Sequence, residues 1–191
     1  MMLYEKIYDN AMNGTDELYK LLSTDSKWNI KSKNLFIFIS FNYHLFFYRI
    51  VLLSKYSDNY VKELLFKCID KYISHLSINT IQEKNKVIDA SNEIFEALGS
   101  FIVSLSETHD PYIMNFLGQY LIGYVEMCKP AEVFDFKTTM LITSYFTELL
   151  KNCDFLVANE EEEKINENFP LKLVIAVCII FAIIIFLKFL Q

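Results

Sequence analysis

Residues 35–53 read LFIFISFNYHLFFYRIVLL, a stretch dominated by apolar and aromatic side chains. Asn42 and His44 lie near its centre and Arg49 lies one turn from its end. In lipid these three groups together cost several kcal/mol, because each must lose its water. The stretch therefore predicts a helix buried in the middle of a helical bundle. A second membrane span over the same residues is the alternative.

The composition of the whole chain favours long helices. Hydrophobic residues make up 53% of the 191 residues, whereas only 4 glycines and 3 prolines are available for turns between short strands. The length suits one domain with an appendage. We predict an all-α fold with a helical domain over residues 1–156, an acidic linker over 157–170 and a C-terminal helix over 171–191.

Apolar residues recur at helical spacing through most of the domain, which predicts about six or seven helices. One helix is expected to run from Asp58, as its N-cap, to Leu76. A second, from 86 to 105, becomes apolar on nearly all sides and is expected to run through the centre. Asp110 followed by Pro111 predicts the start of a third, which continues through residues 112–125.

The two ends of the domain carry further helices. At the amino end, a short helix over residues 1–10 is expected to be interrupted at Asn13 and Gly14, with another starting at Thr15. The last helix of the domain is expected over residues 136–151. Its predicted buried residues are Met140, Leu141, Tyr145, Leu149 and Leu150.

The C-terminal stretch 171–191, LKLVIAVCIIFAIIIFLKFLQ, has no charge between Lys172 and Lys188. The uncharged run 173–187 rises about 22 Å as a helix, and the two lysines extend it towards the roughly 30 Å of a bilayer core by reaching the interfaces. The stretch follows VANEEEEKINEN (157–168), which is too polar to pack. We predict a tail anchor rather than a buried core helix. Its anchoring residues are Lys172, Leu173, Ile180, Ile184, Leu187 and Lys188.

A short span flanked by basic residues suits a thin bilayer. We therefore expect the mitochondrial outer membrane, with the domain facing the cytosol, and the endoplasmic reticulum as second choice. Because two of the 18 basic residues lie in the tail, residues 1–170 carry 16 basic against 24 acidic groups, a net charge of −8. Such a body repels nucleic acid.

The chain shows no constellation typical of an enzyme. His44, His75 and His109 are scattered, and there is no glycine-rich loop, nucleophile elbow or zinc-ligand spacing. The four cysteines form no Cys-x-x-Cys pair and suit reduced thiols. We predict a binding protein that uses no cofactor or metal.

The segment EIFEALGSFIVSL (93–105) resembles the first homology motif of the Bcl-2 family of apoptosis regulators. Glu93, Ile94 and Phe95 match its opening, and Gly99 falls near its invariant glycine when two residues are omitted. Ser100 stands where the family has an arginine, and the second motif, built on a tryptophan, is not found. The segment KYISHLSINTIQEKNKVIDAS (71–91) is similar to the tail-anchored poxvirus branch of the family, of the myxoma virus type.

This resemblance implies a Bcl-2-like bundle with a hydrophobic central helix and a groove that binds the amphipathic helix of pro-death proteins. In the groove Gly99 would allow close approach and Ser100 would offer only a hydroxyl. The groove residues would be Tyr60, Leu64, Leu65, Phe95, Leu98, Gly99, Ser100 and Ile102. The alternative for these apolar residues is an ordinary core role.

The implied function is a viral-type inhibitor of apoptosis. A pro-death role would need a leucine followed by Gly-Asp, and at the nearest match Ile69 replaces that glycine before Asp70. Two other classes remain open. One is a tail-anchored helical adaptor in innate signalling or membrane trafficking, and the other is a small membrane protein with two spans.

Overall fold

The computed structural model describes residues 2–23, 33–76, 78, 80–108, 121 and 136–156. These residues form helices and contain no strand, so the predicted all-α class is confirmed. The α-helices are α1 (Leu3–Ser23), α2 (Lys33–Leu53), α3 (Asp58–His75), α4 (Ile81–Thr108) and α5 (Phe136–Lys151). A short 3₁₀ helix, Cys153–Leu156, follows α5.

Helix α2 is the central element of this part of the chain. It contacts every other described helix, and Asn42 and His44 are both fully buried, as the first reading of residues 35–53 predicts. The Asn42 Nδ2 donates to the Phe38 carbonyl at 2.8 Å, which satisfies part of that buried amide. Among the described residues α2 alone is long and apolar enough to cross a bilayer, and 67% of its apolar window is buried in the bundle.

The expectation that residues 86–105 run through the centre is wrong for the described part of the molecule. Helix α4 packs mainly on α2 and on a short part of α3, and its first six residues are all exposed. Val103, in its last third, is 56% exposed. The physical reason is that the first half of α4 is apolar on one side only, whereas α2 is apolar all round.

Helix α1 corrects a second expectation. A single helix runs through Asn13 and Gly14, where two helices were expected. Leu3, Ile7, Ala11, Leu18 and Leu22 form one buried stripe along it. Gly14 lies on this stripe, so it is a packing position within the helix and does not end it.

Helix α3 follows its predicted pattern closely. Ser57, one residue before the expected Asp58, is the N-cap, and its side chain accepts a hydrogen bond from the Tyr60 backbone N–H. The predicted inward face is buried, with the residues Val61, Leu64, Leu65, Cys68, Ile69, Tyr72 and Ile73. Of the outermost predicted core residues, Tyr60 is half-buried and Leu76, just beyond the helix, is exposed.

Helix α5 has the predicted bounds, but its buried face is different. The five expected core residues are only half-buried. The residues of α5 that are buried are Thr138, Thr139, Ile142, Thr143 and Phe146. The error arose because three threonines face inwards, which an apolar pattern does not predict.

The core has two clusters. The first cluster joins α1, α2 and α3 to the 3₁₀ helix and includes Ile7, Leu45, Leu64, Leu65 and Ile73. The second cluster joins the second half of α1 to α2, α4 and α5 and includes Leu18, Tyr43, Phe47, Leu98 and Phe146. Each fully buried side chain of this size contributes about 1.5–3 kcal/mol, so both clusters are needed for stability.

Several predicted segments lie outside the described residues. They are most of the helix expected over residues 112–125, the linker over 157–170 and the C-terminal helix over 171–191. Leu121, the one described residue of the first of these segments, is helical and buried in the second cluster.

Candidate helix-binding site

The start of α3 is held against the end of α2 by charge. Asp58 accepts from Arg49 of α2 at 3.3 Å and also pairs with Lys62 on its own helix. The hydrogen bond from Lys62, followed by that from Arg49, lowers the pKa of Asp58 below its usual range. Both partners favour the carboxylate, so α3 is fixed to α2 at the end where the predicted wall of the groove begins.

The three predicted wall residues on α3 are not equally accessible. Leu64 and Leu65 are 5% and 3% exposed and belong to the first cluster. Tyr60 is half-buried and packs on Tyr56, with ring centroids 5.3 Å apart. In the free chain, therefore, Tyr60 alone of the three presents surface to a ligand.

The predicted residues on α4 range from buried to open. Leu98 is 2% exposed within the second cluster, whereas Phe95 is half-buried and packs against both clusters, 6.1 Å from the Phe46 ring. Ser100 is exposed and Gly99 is intermediate. A Cβ built at Gly99 would meet no heavy atom of the described residues within 4 Å, so the space beside it is open in this part of the chain. Ile102 lies on α4, and its side chain is outside the described part of the structure.

Together these positions define an open ridge rather than a finished groove. We use the name "Gly99 ridge" for Gly99, Ser100 and Val103, which lie on the outer side of α4. The predicted floor residue Leu98 and wall residues Leu64 and Leu65 are buried, Leu98 in the second cluster and the other two in the first. The ridge is therefore accessible from solvent, whereas the three leucines are not.

Pattern reasoning missed one exposed apolar side chain on each of α3 and α4. Phe66 on α3 is 53% exposed, and Val103 on α4 is 56% exposed. Both fall outside the regular apolar stripe of their helix, and that irregular placement is the signal that could have found them. The predicted anchor residues, from Lys172 to Lys188, lie outside the described residues.

A group of buried polar side chains lies in the core, where α1, α2 and α5 meet. His44 is fully buried, with its Nδ1 2.7 Å from the Ser40 carbonyl oxygen and its Nε2 2.9 Å from the Tyr145 hydroxyl. The Tyr145 hydroxyl donates to the Gly14 carbonyl at 2.8 Å. Burial lowers the pKa of His44 to about 4, against a smaller opposing effect of the Ser40 carbonyl. We call His44, Tyr145, Gly14 and Ser40 the His44 junction.

The cysteines and metal-binding side chains are the last groups with possible chemistry. Cys68 and Cys153 are buried thiols that are not part of a disulfide bond. Burial raises the pKa of Cys68 to about 12, so its thiol stays protonated and unreactive. Within the described ranges no group of three His, Cys, Asp or Glu side chains could hold a metal ion.

Comparison with protein-family models, with curated proteins and with solved structures finds no match to this chain.

Proposed function

We propose that this protein is a tail-anchored, Bcl-2-like inhibitor of apoptosis of viral type, which holds the amphipathic helix of a pro-death protein at the mitochondrial outer membrane. The observation that carries the proposal is the open space at Gly99. It lies on α4 within the segment that resembles the family's first motif, near that motif's glycine when two residues are omitted. The proposal is further supported by the all-α bundle and by the uncharged run over residues 173–187.

The physical basis is close packing of one helix on another. An amphipathic helix binds a groove through apolar residues at positions i, i+3, i+4 and i+7, and a glycine lets the two backbones approach. Phe95 supplies a half-buried aromatic surface below Gly99, and Val103 adds an exposed apolar one. The buried leucines Leu64, Leu65 and Leu98 would add to the interface only after the helices that cover them move, so we expect association to be slower than for a preformed groove.

The charge near the ridge favours a particular kind of ligand helix. Between residues 87 and 108 the only charged residues are Asp89, Glu93, Glu96 and Glu107, all acidic. Ser100 supplies no positive charge for the acidic residue with which the family's arginine pairs. A ligand helix with lysine or arginine near its small residue is therefore favoured over one that depends on an acidic contact.

The direct test is a panel of synthetic pro-death helices measured against the full-length chain in detergent micelles. We expect a Kd below about 1 µM for at least one peptide, measured by fluorescence polarisation. Gly99→Glu should weaken binding at least ~100-fold, because the new side chain fills the open space and adds a charge to an apolar contact. The helical circular dichroism signal should not change.

Asn85→Glu is the matched control. Asn85 is exposed on the same helix about 21 Å away, so this substitution adds the same carboxylate outside the site. Its affinity should equal that of the parent protein. Affinities no tighter than about 1 mM for every peptide would contradict the proposed function. Equal loss in both variants would remove Gly99 from the site.

The membrane part of the proposal has its own test. Full-length protein bound to isolated mitochondria should resist alkaline carbonate extraction, and the chain without residues 171–191 should be released. Release of the full-length chain would contradict the anchor. Protection of residues 54–160 from protease in intact organelles would favour the protein with two spans, and anchoring without any peptide binding would favour the adaptor.

A further inference from the structure

The His44 ring is enclosed on all sides by three helices. It is 0% exposed, and its ring centroid lies 5.6 Å from that of Tyr145, 5.2 Å from Phe146 and 6.4 Å from Tyr48. From α1, the Thr15 hydroxyl makes a long contact of 3.5 Å with Nδ1. A charged imidazolium at this position would have no water to solvate it.

The hydrogen bonds of the junction do not fit a neutral ring fully. The short contacts of His44 with Ser40, of His44 with Tyr145 and of Tyr145 with Gly14 need three hydrogens. A neutral imidazole has one N–H and a tyrosine has one O–H, which makes two. A proton added to His44 would complete the set, but it would also place a full charge in an apolar site, and burying the charge costs more than one hydrogen bond returns.

The backbone of α1 leaves no room for hydration. A Cβ built at Gly14 would lie 2.5 Å from His44 Nε2 and 2.8 Å from the Tyr145 hydroxyl. The α1 backbone thus lies directly against the ring nitrogen that would carry the added proton. Water can reach a charged His44 only if α1 or α5 moves away from α2.

Among the described residues, few charged groups are near enough to compensate for a positive His44. Tyr48 and Tyr145 are the titratable groups around the ring on α2 and α5, and burial is the main cause that raises the pKa of each. Glu17 of α1 contributes to the raised pKa of both tyrosines, and Cys153 contributes to that of Tyr48. Glu17 is exposed, so solvent screens its charge and it stabilises an imidazolium only weakly.

We propose that His44 makes the junction of α1, α2 and α5 acid-sensitive, so that uptake of one proton by His44 opens the junction and releases α5 and the second half of α1 from α2. This device does not depend on the proposed function. None of its four residues belongs to the Gly99 ridge, and it involves α2, the described helix that is apolar enough to enter a bilayer.

The direction of the pH dependence follows from the two states. In the closed junction burial lowers the pKa of His44 to about 4, whereas in the open state it returns to about 6.5. The open state therefore binds the proton more tightly. The contribution of neutral His44 to the free energy of closing is fully present above about pH 6.5 and is lost as the pH falls towards 4. The equilibrium constant for opening should therefore rise about 30-fold by pH 5, and on the order of 300-fold at still lower pH.

The experiment is hydrogen–deuterium exchange of the full-length chain in detergent, followed by mass spectrometry at about pH 7.5, 6 and 5 and corrected for intrinsic exchange. We expect opening in α1 and α5 to increase about 30-fold at pH 5, with a smaller change in α3. His44→Gln should abolish the increase. His75→Gln is the control, because His75 is exposed, and it should leave the increase unchanged.

If His44→Gln does not fold, nuclear magnetic resonance of labelled histidine in the parent protein decides the question. The chain has 3 histidines. We expect the His44 ring to become charged only together with the loss of α1 and α5 protection. A His44 that titrates near pH 6.5 in an intact fold would overturn the proposal, as would acid opening that persists in His44→Gln.

Discussion

Gly14 and Gly99 each lie inside a helix, but their surroundings are opposite. At Gly14 a methyl group would lie within 2.8 Å of both His44 and Tyr145, whereas at Gly99 it would meet nothing within 4 Å. A glycine inside a helix costs about 0.5–1 kcal/mol relative to alanine. At Gly14 the close packing of α1 on α2 and α5 offsets this cost. At Gly99 no described residue lies close enough to do so, which is what a surface kept open for another helix would require.

The largest expected effect tests the closed side of this comparison. Phe146 is 1% exposed, stacks on Phe47 with ring centroids 4.6 Å apart and lies beside His44. Phe146→Ala should lower the free energy of unfolding by about 3–5 kcal/mol, because it leaves a cavity at the junction. Urea unfolding of the full-length chain in detergent measures this. Phe66→Ala, at a ring that is 53% exposed, is the control and should cost less than about 1 kcal/mol.

The next effect tests whether Gly14 is needed for packing. Gly14→Ala should lower the free energy of unfolding by about 2 kcal/mol, since overpacking outweighs the gain in helix propensity. The same urea unfolding measurement applies. Tyr145→Phe removes the hydroxyl that one of the two contacts involves, so the loss caused by Gly14→Ala should be smaller in that background. Unchanged stability would mean that α1 shifts freely against α2, which would also weaken the basis for an acid-sensitive junction.

The smallest effect tests the open side and has the opposite sign. Gly99→Ala should raise the free energy of unfolding by about 0.5–1 kcal/mol, because the methyl group meets no atom and alanine favours the helix. At the same time it should weaken binding of pro-death peptides, if the two backbones approach as closely as proposed. Greater stability with unchanged affinity would show that Gly99 serves neither packing nor binding. Reduced stability would mean that the ridge is covered by another part of the chain.

Parts of the fold could be predicted because they depend on neighbours along the chain. The 3.6-residue period of Val61, Leu65, Cys68 and Tyr72 identified α3 and its buried face. The bounds of α5 were likewise predicted. The pairing of Asn13 with Gly14 was read as an interruption because glycine and asparagine disfavour helices locally. The contact of Gly14 with His44 and Tyr145 overrides that preference, and those residues lie 30 and 131 positions further along the chain.

The candidate site could be predicted only in part for the same reason. The motif-like segment identified Gly99 and Ser100, and the structure describes space beside Gly99 that is open. The sequence could not show that Leu64, Leu65 and Leu98 lie in core clusters. An apolar stripe has the same pattern whether another helix of the chain or a ligand covers it. The inward threonines of α5 and the buried His44 are a similar case, since polar residues enter a core only where their partners are in reach.

By itself the sequence determined that the described part of the chain is all-helical, where α3 and α5 lie, and that residues 35–53 are too apolar to remain in water. These properties follow from side-chain periodicity and transfer free energy, which are local quantities. The tertiary structure alone decided that α2 is the helix every other described element contacts, that Gly14 closes one junction and that Gly99 remains open. Those outcomes depend on which distant side chains come within a few ångströms of each other, and no property of a single segment specifies that.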